Sequence, residues 1–386
     1  MPAGDDTASG PPERLAGGLL TVDLAAVKAN YRCLLAEGAG TPVAAVVKAD
    51  AYGLGAARVA PALWEAGARI FFVALPEEAL VLRRVLPEAA EVYVLGGLFG
   101  AGAERDYLAA GIRPVLNSLE ELRRWRRLAV AENRTLPACL HVDTGMNRLG
   151  LPPEELAVLS DEPQRLSGVR IAYLISHLAC GDRPDDANNQ GQLRAFLAAR
   201  ASLPPMAASL ANSPGSFLGA GFHFDLLRPG AALYGVNPTP GSPNPMAQVV
   251  RLQGRILQVR VVDPPMGVGY GAAFRAGRRT IVATVGLGYA DGYLRSLSGR
   301  AKAWVQTGAA GGKEGMAVAV PLVGRVSMDL ITLDLTDLAE PPSVGGFVDL
   351  LGPDQDVDAL AEAAGTIGYE VLTSLGPRYR RLYRDA

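Results

Sequence analysis

Lys48 is the residue whose type and place could do covalent chemistry. A lysine can shed its proton when desolvated and then attack a carbonyl, which an arginine cannot do. The chain holds four lysines against 33 arginines, yet one lysine is kept where the valine-rich run Val43–Val47 ends. Residues that could serve such an amine recur at the ends of other apolar runs. They are His141-Val-Asp143-Thr-Gly145-Met-Asn-Arg148, Ser176-His177, Ala211-Asn212-Ser213-Pro-Gly215 and Arg228-Pro-Gly230-Ala231. Each alone has an ordinary explanation: turn chemistry for Ser, Asn and Gly, a satisfied core histidine, a surface arginine, a lysine stem reaching for solvent. Their joint placement lifts the functional reading. A serine and glycine-bearing turns near helix starts can offer donors to a phosphate. An amine, arginines, a histidine and a phosphate cradle together suggest a phosphate-bearing carbonyl cofactor held as a Schiff base, pyridoxal phosphate.

The elements that must position these groups alternate in kind. From Val43 onward, apolar strands and amphipathic helices follow one another at roughly 20–40 residues, the pattern of repeated βα units. The runs predict strands at Val43–Ala49, Ile70–Ala74, Glu91–Leu95, Ile112–Leu116, Ala138–Asp143, Val169–His177, Met206–Ala211 and His223–Leu227. Helices are expected at Pro76–Leu86, at Ser118–Glu132 behind the capping box Ser118-Leu-Glu-Glu121, and at Ala187–Ser202. Eight such strands make a closed (β/α)8 barrel of the TIM type, which carries function at the strands' carboxyl ends. A doubly wound open sheet is the alternative, but Lys48-Ala-Asp-Ala-Tyr52-Gly lacks the glycine fingerprint of its first turn. The near match Gly267-Val-Gly-Tyr-Gly-Ala272 follows prolines rather than an early strand.

After Tyr234 the texture changes. Asn237–Met246 is rich in Pro and Gly and reads as a linker. Short β-branched runs follow at Val249–Val262, Thr280–Val285, Ala301–Gln306, Ala317–Leu322, Leu330–Leu335 and Phe347–Leu351, with a hairpin loop at Gly308–Gly315. They predict a mostly antiparallel β domain, closed by a helix at Val357–Ala364. The expected division is a flexible tail over residues 1–18, a cofactor-binding barrel over 19–240 and a β domain over 241–386.

Composition narrows the function classes. Of 386 residues, 49% are apolar and 20% charged, the balance of a globular protein with a substantial core. A net charge of −2 gives no reason to expect nucleic acid or an anionic membrane as partner. No run approaches the ~18 consecutive apolar residues of a membrane span. Cys33, Cys139 and Cys180 form neither a disulfide framework nor a metal pattern, so a reduced cytoplasmic setting and no bound metal are expected.

Several segments, in order, resemble the alanine racemase family. They are Val47-Lys-Ala-Asp-Ala-Tyr-Gly53, Val142-Asp-Thr-Gly-Met-Asn-Arg-Leu-Gly150, Ala211-Asn-Ser213, Val268-Gly-Tyr-Gly271, Gly286-Leu-Gly-Tyr-Ala-Asp-Gly292 and Val323-Gly-Arg-Val-Ser-Met-Asp329. The similarity spans residues 19–383. It implies a pyridoxal-phosphate barrel followed by a β domain, working as a head-to-tail homodimer with shared active sites. By the same resemblance Lys48 holds the cofactor and acts as one base. Tyr270, reaching a partner's cofactor, is the other, with His177 bonded to its phenol. Two bases on opposite faces of Cα suit the interconversion of L- and D-alanine, which supplies peptidoglycan. Tyr52, His177, Asn212, Ser213, Gly230, Ala231 and Tyr369 are implied cofactor contacts, with Arg228 at the pyridine nitrogen. Arg148, Met328 and Tyr289 are implied substrate contacts.

Three departures stand out. His141 replaces a lysine that is carbamoylated in many members, so Arg148 is expected to be held by another group. Ser209 stands where some members place a histidine behind the ring-facing arginine. Arg378-Tyr-Arg-Arg381 replaces a more usual Arg-Val-Pro-Arg. The competing readings are a broader small-amino-acid racemase, a decarboxylase on the same architecture, a non-enzymatic pyridoxal-phosphate carrier, and a sugar-phosphate barrel enzyme in which Lys48 is ordinary.

Overall fold

The computed structural model describes residues 8–307 and 316–385. They form two compact units, residues 27–247 and residues 8–26 with 248–385.

The first unit is a barrel. Seven parallel strands lie side by side in chain order: Ala45–Val46, Ile70–Val73, Glu91–Val94, Arg113–Leu116, Leu136–His141, Val169–Ile175 and Ala208–Ser209. An eighth run closes the ring by bonding both edges. On one side Asp225 N–H donates to Ala208 O and Arg228 N–H to Ala211 O, each at 2.9 Å. On the other, Leu227 N–H donates to Pro42 O (2.9 Å), and Ala44 N–H donates to Leu227 O (2.8 Å). This eighth strand starts later than its expected range, His223–Leu227. His223 has helical backbone angles and Phe224 sits at φ 51°, so the run bonds its neighbours only from Asp225 onward. Ala44, Val46, Phe72, Tyr93, Val115, Cys139, Ile175 and Leu226 fill the interior. Their strand neighbours Ala45, Phe71, Val92 and Leu140 are equally buried. Strands apolar on both faces are what a barrel covered by helices requires.

The helices return between strands on apolar faces spaced three and four residues apart. In Leu119–Ala131 the buried face is Leu122, Trp125, Leu128 and Ala129. Ser118 Oγ accepts from Glu121 N–H at 3.2 Å, the serine half of the expected capping box. The Glu121 carboxylate accepts instead from Asn117 N–H and from Leu98 N–H one βα loop earlier. Glu155, also third in its helix, accepts from Leu119 N–H. Carboxylates at this helix position thus tie neighbouring loops on the barrel mouth together.

The second unit is built on the long strand Val250–Val262. Its first half pairs antiparallel with Gly18–Asp23 and Phe347–Leu351, its second with Thr280–Val285. Lys302–Thr307, Met316–Pro321 and Ile331–Asp334 extend the sheet, and Arg380–Arg384 lies parallel beside Gly18–Asp23. Gly254 has no alternative there, since a Cβ would lie 2.4 Å from Val285 Cγ1. The helix Val357–Ala364 forms at its expected limits. The loop expected at 308–315 lies outside the described residues, but the strands flanking it pair from Thr307 to Met316.

Two expected boundaries shift. Residues 18–23 are a strand of the β unit rather than the start of the barrel. The barrel keeps the chain through Ala247, because Asn30 bonds that residue's N–H and its carbonyl. Of the expected flexible tail, Ala8–Ser9 pairs with Leu382 and Arg381, while residues 1–7 lie outside the described residues. Among the described residues no helix is long and apolar enough to cross a membrane.

Candidate active site

Lys48 follows the first barrel strand and opens a turn of unusual hand. Ala49, Asp50, Ala51 and Tyr52 all have left-handed backbone angles, with φ between 52° and 55°. An L-residue there is disfavoured by about 1–2 kcal/mol, so four in a row must be held by their surroundings. Glu78 Oε1 accepts from Ala49 N–H at 2.5 Å, and Asp50 Oδ1 accepts from Ala56 N–H at 2.7 Å. Gly53 N–H closes the turn onto Ala49 O at 2.7 Å. At its far end Tyr52 is buried against Tyr234, the ring centroids 4.8 Å apart. Gly230 gives that phenol room: a Cβ there would lie 2.3 Å from Tyr52 Oη. The strand expected to run through Ala49 therefore gives way at Lys48 to a strained turn that aims Lys48 and Tyr52 from one short segment.

The other strand ends bring the expected groups to the same mouth. Arg228 is 5% exposed and donates to Ser209 Oγ and to Ser176 O. Ser209 Oγ in turn donates to Leu226 O. The serine thus supports this arginine directly, and no carboxylate among the described residues bonds it. Ser213 Oγ accepts from Gly230 N–H (2.9 Å) and Ala232 N–H (3.2 Å), which leaves its own O–H to donate. Ala231 follows Gly230 and is buried. Asn212 works on the backbone, accepting from Gly215 N–H and donating to Leu178 O. Arg148 rides an exposed loop wound around Asp143, whose Oδ1 accepts from the N–H groups of Gly145, Met146 and Asn147.

These groups set each other's charge. Burial lowers the Lys48 amine from its ordinary pKa, and Arg148 lowers it further, against an opposing pull from Glu78. His177 is driven down to about 3 by burial and then by Arg228, Arg148 and Lys48. His141 falls to about 4 by burial and then by Arg228. Both imidazoles are neutral at physiological pH. Asn117 spends both amide hydrogens on Leu95 O and Val115 O, so its oxygen faces His141 Nδ1 at 2.8 Å. His141 Nδ1 therefore carries the proton and Nε2 the lone pair. Burial brings Arg228 down to about 10, still a cation at neutral pH. The mouth is thus rich in fixed positive charge and suited to an anionic ligand with a carbonyl for the lysine to attack.

Four expected site residues lie on the β unit. Tyr270 stands 72% exposed on the turn joining Gly267–Val268 to Phe274–Arg275, between Gly269 at φ 70° and Gly271 at φ 68°. Tyr289 and Met328 are exposed and sit on apposed segments, through Tyr289 N–H to Ser327 O and Ala290 N–H to Met328 O, each 3.0 Å. Arg378 locks that pairing, bidentate to Asp291 and bonded to Asp329. Tyr369 is exposed on the helix Gly368–Ser374. Sequence reasoning missed Glu78 and Asn117. The signal for Glu78 was available, as the third residue of a helix opened by Pro76.

Residues 22–238 match the family description "Alanine racemase, N-terminal domain", and residues 249–383 match "Alanine racemase, C-terminal domain". A catabolic alanine racemase of Mesorhizobium japonicum is 47% identical over 99% of this chain and 98% of its own length. An alanine racemase of Rhodospirillum rubrum is 49% identical over 96% of this chain and 97% of its own. The crystal structure of alanine racemase from Bartonella henselae with covalently bound pyridoxal phosphate superposes with a TM-score of 0.90. It shares 43% identity, covering 96% of this chain and all of that one. With a lysine-centred barrel matched by one domain of the family and a β unit matched by the other, the chain belongs to the alanine racemase family of isomerases.

Proposed function

We propose that this chain interconverts L- and D-alanine by a two-base route, using pyridoxal phosphate held by Lys48, in a homodimer whose subunits share their active sites. The observation that carries this reading is the Lys48 amine, lowered in pKa and set among Arg148, Arg228 and a neutral His177. The donor set fits the cofactor: the Ser213 hydroxyl and the Tyr52 phenol over Gly230 suit its phosphate, and Lys48 suits its aldehyde. When bound, pyridoxal phosphate draws electrons from the amino acid's Cα–H bond and makes that proton removable.

The chain's own groups do the rest. Lys48 as a neutral amine takes or returns the Cα proton on one face. The partner subunit's Tyr270 does so on the other, next to an uncharged His177 that can share a hydrogen bond with a phenol. Asn212 and Tyr369 belong to the cofactor's surroundings. Arg228 would hold the cofactor at its pyridine nitrogen and, as a cation, could not accept a proton from it. Its acceptors, Ser209 and the Ser176 carbonyl, are both neutral. A decarboxylase is expected to place an acid at that nitrogen, so this arginine favours racemisation. Arg148 and the Met328 N–H bind the substrate carboxylate, and Tyr289 narrows the entrance to small side chains such as those of alanine and serine.

Deuterium exchange at Cα of each alanine enantiomer tests the two bases. Lys48→Ala abolishes the borohydride-reducible cofactor band, and Tyr270→Phe slows exchange from one enantiomer at least tenfold more than from the other. Equal loss from both enantiomers rejects separate bases. In the cell we assign the enzyme to the cytoplasm and to D-alanine supply for peptidoglycan. The relatives named catabolic favour alanine consumption as a second reading. D-alanine auxotrophy on deletion separates the two.

A further inference from the structure

Glu78 divides its two carboxylate oxygens between two tasks. Oε2 accepts from Ala74 N–H (2.8 Å) and Leu75 N–H (3.0 Å), which caps the start of its own helix, Pro76–Val85. Oε1 leaves that helix altogether and accepts from Ala49 N–H, 29 positions away on the preceding βα loop. Glu121 divides its oxygens in the same way, between Asn117 and Leu98. A cap accounts for the first task only. The second meets the first residue of the left-handed turn, directly after Lys48, and that amine feels the Glu78 charge as the force opposing its loss of basicity.

We propose that Glu78 is the positioning residue for Lys48. Through Ala49 N–H it holds the turn in its disfavoured hand and so fixes where the amine points. Through its charge it keeps the amine from becoming too weakly basic beside Arg148. The proposal rests on the assignment of Lys48 as the cofactor lysine. It concerns how that lysine is held and charged rather than the reaction itself.

The test uses the full-length enzyme stripped of cofactor. Added pyridoxal phosphate is trapped on Lys48 with borohydride, and the initial trapping rate is followed against pH. Glu78→Gln keeps an oxygen for the cap, removes the charge and turns an amide group toward Ala49. Losing a nearby negative charge lowers an amine's pKa, so the rate midpoint moves to lower pH by about half a unit to one unit. Glu78→Ala also frees the turn, so the plateau rate above the midpoint falls roughly tenfold or more. Amides of Ala49–Gly53 then exchange with deuterium faster than in the wild type, with the rest of the barrel unchanged. Both variants trapping with the wild-type midpoint and plateau overturns the proposal, as does lower thermal stability with no change in the profile. If Glu78→Ala does not fold, the midpoint of Glu78→Gln decides alone. A wild-type protein that traps no pyridoxal phosphate at Lys48 would instead defeat the racemase reading, so the two failures are distinct.

Discussion

His177 and His141 sit among cations, and that has a thermodynamic signature. In an unfolded chain a histidine takes its proton near pH 6.5. In the folded barrel it does so only near 3 for His177 and near 4 for His141. As pH falls through 6.5 the unfolded state gains these protons first, so the stability they confer is complete above that pH. It is lost progressively as pH drops toward 4 and then 3. Each histidine removes about 2 kcal/mol between pH 6.5 and pH 5. Urea unfolding of the cofactor-free protein at several pH values should show this slope. His177→Asn should flatten it by about half in that window, leaving the share of His141 and of the carboxylates. A slope unchanged by the substitution would mean the imidazole is solvated in the folded chain. The neutral state also matters for function, because an imidazole without charge can accept from a neighbouring hydroxyl as well as donate.

The left-handed turn after Lys48 ties local backbone energy to the position of a reactive group. Ala49 is exposed, so its methyl contributes little packing, yet it occupies a region that only glycine enters freely. Ala49→Gly is expected to raise unfolding stability by about 1 kcal/mol, read as a higher urea midpoint at unchanged slope. A loss of stability would show that the turn is not left-handed in solution. The same segment marks where reading from sequence stops. The strand before Lys48 and the glycines after it are legible, because valine runs and Gly53 and Gly55 carry local preferences. The hand of the turn is not, because Ala49, Ala51 and Tyr52 have no preference for it. Ala49, the first of them, is bonded instead by Glu78, a partner that no local pattern connects to it. The eighth strand was misplaced for a related reason, since Phe224 gives no sign of its positive φ. That Lys48, His177, Ser213 and Arg228 stand at one rim was legible, because barrel geometry sends all strand ends there. The Ser209–Arg228 bond, by contrast, depends on packing.

At the scale of the whole molecule, the proposed sharing of active sites predicts an outcome no single chain can produce. Lys48→Ala and Tyr270→Phe proteins are each nearly inactive when pure. Unfolded together and refolded, they form mixed dimers in which one site carries both defects and the other carries neither. About a quarter of all sites are then intact if pairing is random. Recovery of activity near that fraction supports a partner-donated Tyr270, and none at all argues that each chain completes its own site. The termini complicate the order of assembly. Gly18–Asp23 lies between Arg380–Arg384 and Val250–Val262, so a strand near the start of the chain pairs with the last one described. Its Leu19, Leu20 and Val22 are buried, as are Gly18 and Thr21, and its sequence neighbours offer it no partner.

On the ribosome this arrangement imposes a wait. The barrel, residues 27–247, is one continuous stretch and can close as soon as it has emerged, and Val250–Val262 then follows at once to cover one edge of the leading strand. At about 5–20 residues per second its final neighbour appears on the order of ten seconds later. Through that interval the strand's other edge stays unpaired, where a holding chaperone or a second nascent chain can reach it first.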